Sequence, residues 1–236
     1  IFNIFKYNKK ILLFLFDNSI IILDENIYRD IIDKIENNGN KYRHFFYPEI
    51  KKFIGEEKSQ YIEQELLSID YDIFDFYNEK RHEGENNSYI CSLIRQDLIE
   101  DFVSYINRVN FPLSSHIKPS IFETNSFLID NNPKLIEYSA FFGSIQIFQF
   151  LKMNNVNLTS SLWFYTIHSQ NGQLIHHLES INVEFNIKIP NDHYKNCFIE
   201  SVKCHHNNFA DYIESTYSII KDEDINSSII HFYNYQ

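Results

Sequence analysis

The feature that most constrains this chain is that part of it is a copy of another part. Leu135 to Val156, laid against Leu162 to Val183 at a shift of 27 residues, is identical at six of 22 positions. These are Leu135/Leu162, Tyr138/Tyr165, Gln146/Gln173, Leu151/Leu178, Asn155/Asn182 and Val156/Val183. A period near 30 marks supersecondary units that cannot bury their apolar faces alone and stack to do so. Each copy has the same order: a short apolar segment (Leu135 to Phe142), a polar or Gly break (Gly143-Ser144), an amphipathic stretch with Ile147, Phe148 and Leu151 on one side, then Asn plus an apolar residue. The first segment spans about two helical turns, so it must lie on the second and on the next copy. A weaker copy begins near Cys197 and runs through Ser201, Phe209, Tyr212 and Ile213. An earlier one ends at Phe102, Tyr105, Ile106, Asn110 and Phe111, and a truncated last one starts at Ser228-Ile229. The pattern predicts an all-α solenoid of stacked helix-turn-helix repeats.

Asn110, Asn155 and Asn182 follow the second stretch of each copy, and Asn tolerates the left-handed conformation of a helix end best among residues with a side chain. The chain holds 37 Ile and 27 Asn but only two Ala, a bias toward residues with A/T-rich codons that puts Asn where Gly is usual. With that substitution the repeat resembles a divergent ankyrin repeat. Ser139-Ala140 occupy the double-alanine position, Gly143-Ser144 the Gly-His position and Asn155-Val156 the Gly-Ala position. Glu137 replaces the His of the Thr-Pro-Leu-His signature, and the step is 27 residues where ankyrins use 33, two departures that argue against the family's extended β-hairpin fingers. Further motifs resemble a large trichomonad (protist) family of ankyrin-like proteins of unknown function: Pro48-Glu49-Ile50-Lys51, Gly84-Glu85-Asn86, Leu93-Ile94-Arg95, Ser120 to Asn125, Ser161-Leu162-Trp163 and Lys203 to Asn207.

Upstream of the repeats the chain reads as helices with short polar links. Phe2 to Phe16 is strongly apolar, with Lys6, Asn8, Lys9 and Lys10 on one side. Asp24 is placed to cap a helix carrying Ile27, Ile31, Ile32 and Ile35, which Asn37 to Asn40 would stop. Pro48 suits a first helical position, and Ile62, Leu66, Ile69, Ile73 and Phe76 form another apolar face. Asn78 to Asn87, without an apolar residue, reads as a linker or exposed loop. The expected division is therefore an N-terminal helical segment over 1–88 and degenerate ankyrin-like repeats over 89–236.

Composition narrows the function. Thirty-two acidic against 21 basic side chains give a net charge of −11, the wrong sign for nucleic acid or anionic membrane. Ile11 to Leu23, interrupted by Asp17, Asn18 and Ser19, is too short to span a bilayer. Cys91, Cys197 and Cys204 have no CxxC spacing and read as buried reduced thiols of a cytoplasmic protein. Three Asn sequons, at Asn86, Asn157 and Asn226, read as chance matches in an Asn-rich chain. No phosphate loop, nucleophile elbow or calcium-loop motif occurs, so no cofactor is expected.

Two constellations remain. Cys204-His205-His206, with His168, His176 and His177 one repeat earlier, invites a metal-binding or enzymatic reading. Neighbours on a helix point about 100° apart, however, so Cys204 and His205 alone cannot close on one ion. One of these imidazoles is expected to satisfy backbone groups between repeats. The other constellation is implied by the ankyrin resemblance, which turns the residues after the double-alanine position into a partner-binding groove. Here these are Phe141, Phe142, His168, Ser169, Lys203 and Cys204; two adjacent Phe cannot both face the core of one short helix, so either one is exposed as an anchor or neighbouring repeats cover both. The favoured expectation is a non-catalytic protein-interaction scaffold with an unknown protein partner; the alternative is an enzyme or metal-binding domain using Cys204, His205 and His206.

Overall fold

The computed structural model describes residues 1–34, 42–185, 192–217 and 232. Among them the chain is all-α, about 69% helical, with one isolated β-bridge between His116 and Lys134 and no strand. No described helix is long and apolar enough to cross a membrane. In chain order the α-helices are α1 Phe2–Phe5, α2 Lys9–Asp17, α3 Glu25–Arg29, α4 Tyr42–Phe45, α5 Tyr47–Ile50, α6 Glu56–Ile69, α7 Tyr77–Glu83, α8 Tyr89–Arg95 and α9 Ile99–Val109. They continue as α10 Ser126–Asn131, α11 Leu135–Phe142, α12 Ile145–Met153, α13 Leu162–Ser169, α14 Gly172–Phe185, α15 His193–Lys203 and α16 Asn207–Tyr217.

The helices form two compact units. The first takes Ile1–Tyr89 together with Lys118–Asn132, and the second takes Ile90–Ile117 and the residues from Pro133 onward. Lys118–Asn132, which carries α10, and Tyr89 both fall in the first unit, on the other side of the boundary that the sequence placed between residues 88 and 89.

Within the first unit, Asp24 caps α3 as expected, its carboxylate accepting from the Asn26 and Ile27 amides at 2.9 and 2.8 Å. The apolar opening segment breaks at Lys6-Tyr7, because Asn8 starts a new helix by accepting from the Ile11 amide. Ile35 and Asn37 to Asn40 lie outside the described residues. Leu12, Leu13, Ile31, Tyr42, Phe45, Phe46 and Ile50 build one buried cluster, and Tyr47, Ile62, Leu66, Ile73, Tyr77, Ile121 and Phe122 another.

Of the Lys side of the opening segment, Lys9 is buried, its ammonium donating to the carbonyls of Ile121 and Glu123 at 3.3 Å and sitting over the rings of Tyr42 and Phe45. One sequence expectation is overturned here. Asn78–Asn87 is no exposed linker, since most of it is α7, closed by Gly84 in the left-handed conformation. Arg81 on that helix is only 2% exposed and pairs with Glu49 at 2.7 Å. The missing apolar residues misled because the buried side chain is a cation. Asn86 is likewise buried, donating to the Lys118 carbonyl, so its sequon is inaccessible.

Among the described residues of the second unit the repeat becomes four helix pairs: α8/α9, α11/α12, α13/α14 and α15/α16. Each pair turns on a left-handed residue, in order Asp97 (φ 51°), Gly143 (71°), Gln170 (52°) and His205 (58°). In three of them the next amide returns to a carbonyl five residues back: Leu98 to Leu93, Ser144 to Ser139 and His206 to Ser201. This is the Schellman closure, which satisfies carbonyls orphaned at a helix end. The second helices α9 and α12 close in the same way on Asn110 (φ 50°) and Asn155 (φ 57°), as expected. Asn182 does not, because α14 runs on through it to Phe185. The copy near Cys197 starts earlier, at His193, and Ser228-Ile229 lies outside the described residues.

Residues just past each hinge tie one pair to the one before. Ser144 Oγ donates to the Ile94 carbonyl at 2.5 Å, Asn171 Nδ2 to Gly143 at 3.3 Å and His206 Nδ1 to Ile167 at 2.8 Å. His206 is thus the imidazole that serves the backbone between repeats. Asp97 caps α12, accepting from the Gln146 and Ile147 amides at 3.1 and 3.0 Å. Glu137, in the His slot, accepts from the Lys134 amide at 2.8 Å and from Ser161 Oγ at 2.7 Å.

At Gly143 the left-handed backbone coincides with a close approach, since a Cβ there would lie 3.3 Å from Asn171 Nδ2. Gly143→Ala is therefore expected to destabilise by about 1–2 kcal/mol, the cost of a side chain in this conformation. Chemical denaturation measures it, and an unchanged midpoint would show that the turn relaxes freely.

Candidate functional site

Two residues before each left-handed hinge, at the ends of α8, α11, α13 and α15, stand Arg95, Phe141, His168 and Lys203, equivalent positions of the four pairs. Their side chains and immediate neighbours make a continuous row. The Arg95 guanidinium lies 6.0 Å from the Phe142 ring centre and donates to the Tyr138 hydroxyl at 3.0 Å. Phe142 packs on Tyr138 and Phe141, with ring centres 4.7 and 5.0 Å apart. Phe141 in turn stacks on His168 at 4.9 Å and 26°. The His168 Nε2 is 3.1 Å from Glu200 Oε1, and Lys203 Nζ reaches both Glu200 oxygens at 3.2 Å.

The row therefore brings together Phe141, Phe142, His168 and, through Glu200, Lys203. Ser169 is turned to the backbone, donating to the Thr166 carbonyl and accepting from the Asn171 amide. Of the two alternatives for the Phe pair, the structure takes the covered one: neither Phe141 nor Phe142 is exposed. Both are half-buried, because the His168 imidazole of the next pair stacks on Phe141, while Tyr138 of its own helix and the Arg95 guanidinium of the preceding pair lie against Phe142. What they offer outward is an apolar edge between Arg95 and the exposed Lys203.

The Cys204, His205 and His206 trio diverges. Cys204 turns to His168, its Sγ 3.6 Å from Nδ1 and 3.9 Å from Nε2, and 3.8 Å from Glu200 Oε1. His205 is the exposed hinge residue, and His206 is held by Ile167. The two histidines instead line a separate cleft of about 470 Å³ with His176, Phe209 and Tyr212. Sequence reasoning missed Glu200, although its spacing to Cys204 (i, i+4 on one helix face) is visible in the sequence.

The charges in this cluster are set by burial and by one another. Burial would raise the Glu200 carboxyl, but the His168 hydrogen bond and the Lys203 ammonium outweigh it and hold it below the usual carboxylate value. Burial, reinforced by Glu200, pushes the Cys204 thiol up to about 12. Burial likewise raises Cys197, whose Sγ lies 3.5 Å from His193 Nε2, and depresses His193. Both cysteines are thus thiols at neutral pH, the opposite of the depressed pKa that activates a nucleophilic cysteine. Cys91 is buried and forms no disulfide.

The Lys- and aromatic-rich stretch near the N-terminus is core where it is described, with Tyr42, His44, Phe45, Phe46 and Tyr47 all buried. Their rings are not available to stack on bases. Comparison of the chain with protein-family models, with curated proteins and with solved structures gives no match.

Proposed function

We propose that the chain is a non-catalytic protein-interaction scaffold of the ankyrin-repeat type, acting in the cytoplasm, and that it binds a protein partner along the row from Arg95 to Lys203. The observation that carries this reading is the register of the four helix pairs. Equivalent positions of stacked repeats fall in line and present extended surface rather than an enclosed pocket. Left-handed hinges at Asp97, Gly143, Gln170 and His205, each followed by a residue that in three cases bonds the preceding pair, support the stacked-repeat reading over an irregular bundle. An apolar centre at Phe141 and Phe142 between two cations has the anatomy of a binding hot spot with a polar rim.

The test is affinity capture from native cell lysate followed by titration of the captured protein against variants. Phe141→Ala is expected to weaken binding by about 2 kcal/mol, roughly thirtyfold in Kd. Its helical circular dichroism should persist. Undiminished affinity in the folded variant would remove the row from the interface, and with it the reason to read this surface as the binding face.

A further inference from the structure

We propose that His168, Glu200 and Cys204 form a zinc-type metal site, bridging the third and fourth helix pairs, with a fourth coordination position left open. Among the described residues they are the group of three ligating side chains whose donor atoms all lie within 4.8 Å of one another. Two helices position them. Glu200 and Cys204 stand one helical turn apart on α15, Cys204 at its C-terminal end, and His168 projects from the end of α13.

The distances fit a tetrahedral ion. With zinc–sulfur bonds of about 2.3 Å and zinc–nitrogen or zinc–oxygen bonds of about 2.0 Å, tetrahedral angles put ligand atoms about 3.3–3.6 Å apart. The His168 Nε2, Glu200 Oε1 and Cys204 Sγ are separated by 3.1, 3.8 and 3.9 Å. Shifts of a few tenths of an ångström would close them on one ion. Side-chain exposures of 13% for His168 and 14% for Glu200 place the site under partial cover rather than in open solvent. Phe141, stacked on the imidazole, fixes the plane of the ring as an outer support does in metal proteins.

The donor set selects the metal. One thiolate, one imidazole and one carboxylate suit zinc and its first-row neighbours and not calcium or magnesium, which take oxygen ligands. Charge balances, because a dication meets one thiolate and one carboxylate. On binding, the Cys204 S–H bond breaks and its proton leaves to solvent. The His168 ring proton moves from Nε2 to Nδ1, and the ion replaces the Nε2–H···Oε1 hydrogen bond. Lys203, now on both Glu200 oxygens, gives up at least one of them.

His205 and His206 play no part, which separates this site from a reading based on adjacency in sequence. The site shares His168 and Glu200 with the proposed partner-binding row, but its test reads the metal alone, so it stands or falls whether or not that row binds a partner.

Cobalt substitution of the purified full chain is the direct test. Excess Co²⁺ should give a thiolate-to-cobalt charge-transfer band in the near ultraviolet at one ion per chain, displaced by Zn²⁺. Cys204→Ser should abolish the band, and His168→Ala should weaken binding by more than about a hundredfold, since losing even an outer partner of a ligand costs about 10–100-fold. A His205→Ala, His206→Ala variant that still shows helical circular dichroism should keep the band. Zinc should raise the thermal midpoint of the unaltered chain and not of Cys204→Ser. If the unaltered, folded chain shows neither the band nor a zinc-dependent midpoint, the site does not exist. If the band survives Cys204→Ser, the ion sits on Cys91 or Cys197 and the assignment is wrong.

Discussion

Replacing Arg81 by Ala is expected to cost the first unit about 3–5 kcal/mol, the loss that follows when one member of a buried ion pair is removed and the other is left uncompensated. The thermal midpoint should fall by more than about 10 °C. The guanidinium is 2% exposed, bonds Glu49 Oε1 at 2.7 Å and Asn78 Oδ1 at 3.3 Å, and lies 5.3, 5.7 and 6.0 Å from the rings of Phe45, Tyr77 and Phe46. Its deletion therefore leaves a half-filled aromatic cage and a half-buried carboxylate with no cation. Burial already raises the Glu49 pKa, against the lowering by Arg81. A carboxyl whose folded pKa is raised contributes stability that is present below its unfolded value of 4.5 and is lost as pH rises through the folded value. Without Arg81 the folded value rises further, so the deficit of Arg81→Ala relative to the unaltered chain should narrow as pH falls toward 4.5. A deficit that is constant with pH would mean that the lost ring contacts, and not the orphaned charge, account for the cost. The double variant Arg81→Met, Glu49→Gln should recover much of the loss, because neither charge is then buried.

Arg81 also shows where the sequence was readable and where it was not. Helical class, the hinge at Gly143 and the left-handed Asn110 and Asn155 followed from spacing and from a conformation that few residues adopt, so local sequence was enough. The buried Arg81 and Lys9 were not legible, since each is made tolerable by partners 32 and more than 100 residues away. A charged run without apolar residues looks solvated until its tertiary neighbours are known. The assignment of Lys118–Asn132 to the first unit was hidden for the same reason: Ile121 and Phe122 pack on residues as distant as Tyr47.

At the candidate site the repeat correctly aligned Phe141, His168 and Lys203, because equivalence under the repeat is itself a spatial statement. It could not say which rings would cover one another. Phe141 and Phe142 became half-buried because His168 and Tyr138 of adjoining positions close on them. Adjacency pointed to Cys204 with His205 and His206. The left-handed backbone at His205 turns the chain there, and the cysteine finds its neighbours one turn back on α15 and one pair away on α13.

Trp163→Ala should be the most damaging change in the second unit, at about 3–5 kcal/mol, the usual cost of emptying a fully buried large aromatic site. The indole is 1% exposed and packs edge-on against Tyr194 of α15 and Tyr217 of α16, at 5.7 and 6.4 Å, while those two rings stack at 3.7 Å. It therefore ties α13 to the last helix pair. If the four pairs are stacked repeats, each pair depends chiefly on its neighbours, and the damage should be uneven. Amide exchange in α15 and α16 should accelerate by about a hundredfold or more, the equivalent of roughly 3 kcal/mol, while α8 and α9 remain close to their original protection. Trp163→Phe should cost only about 1 kcal/mol, because it keeps most of the ring and removes an indole N–H that has no acceptor among the described residues. Uniform acceleration across all four pairs in Trp163→Ala would instead mean that the second unit unfolds as one globular body. In that case the stacked-repeat account of this chain would have to be abandoned, however regular its hinges are.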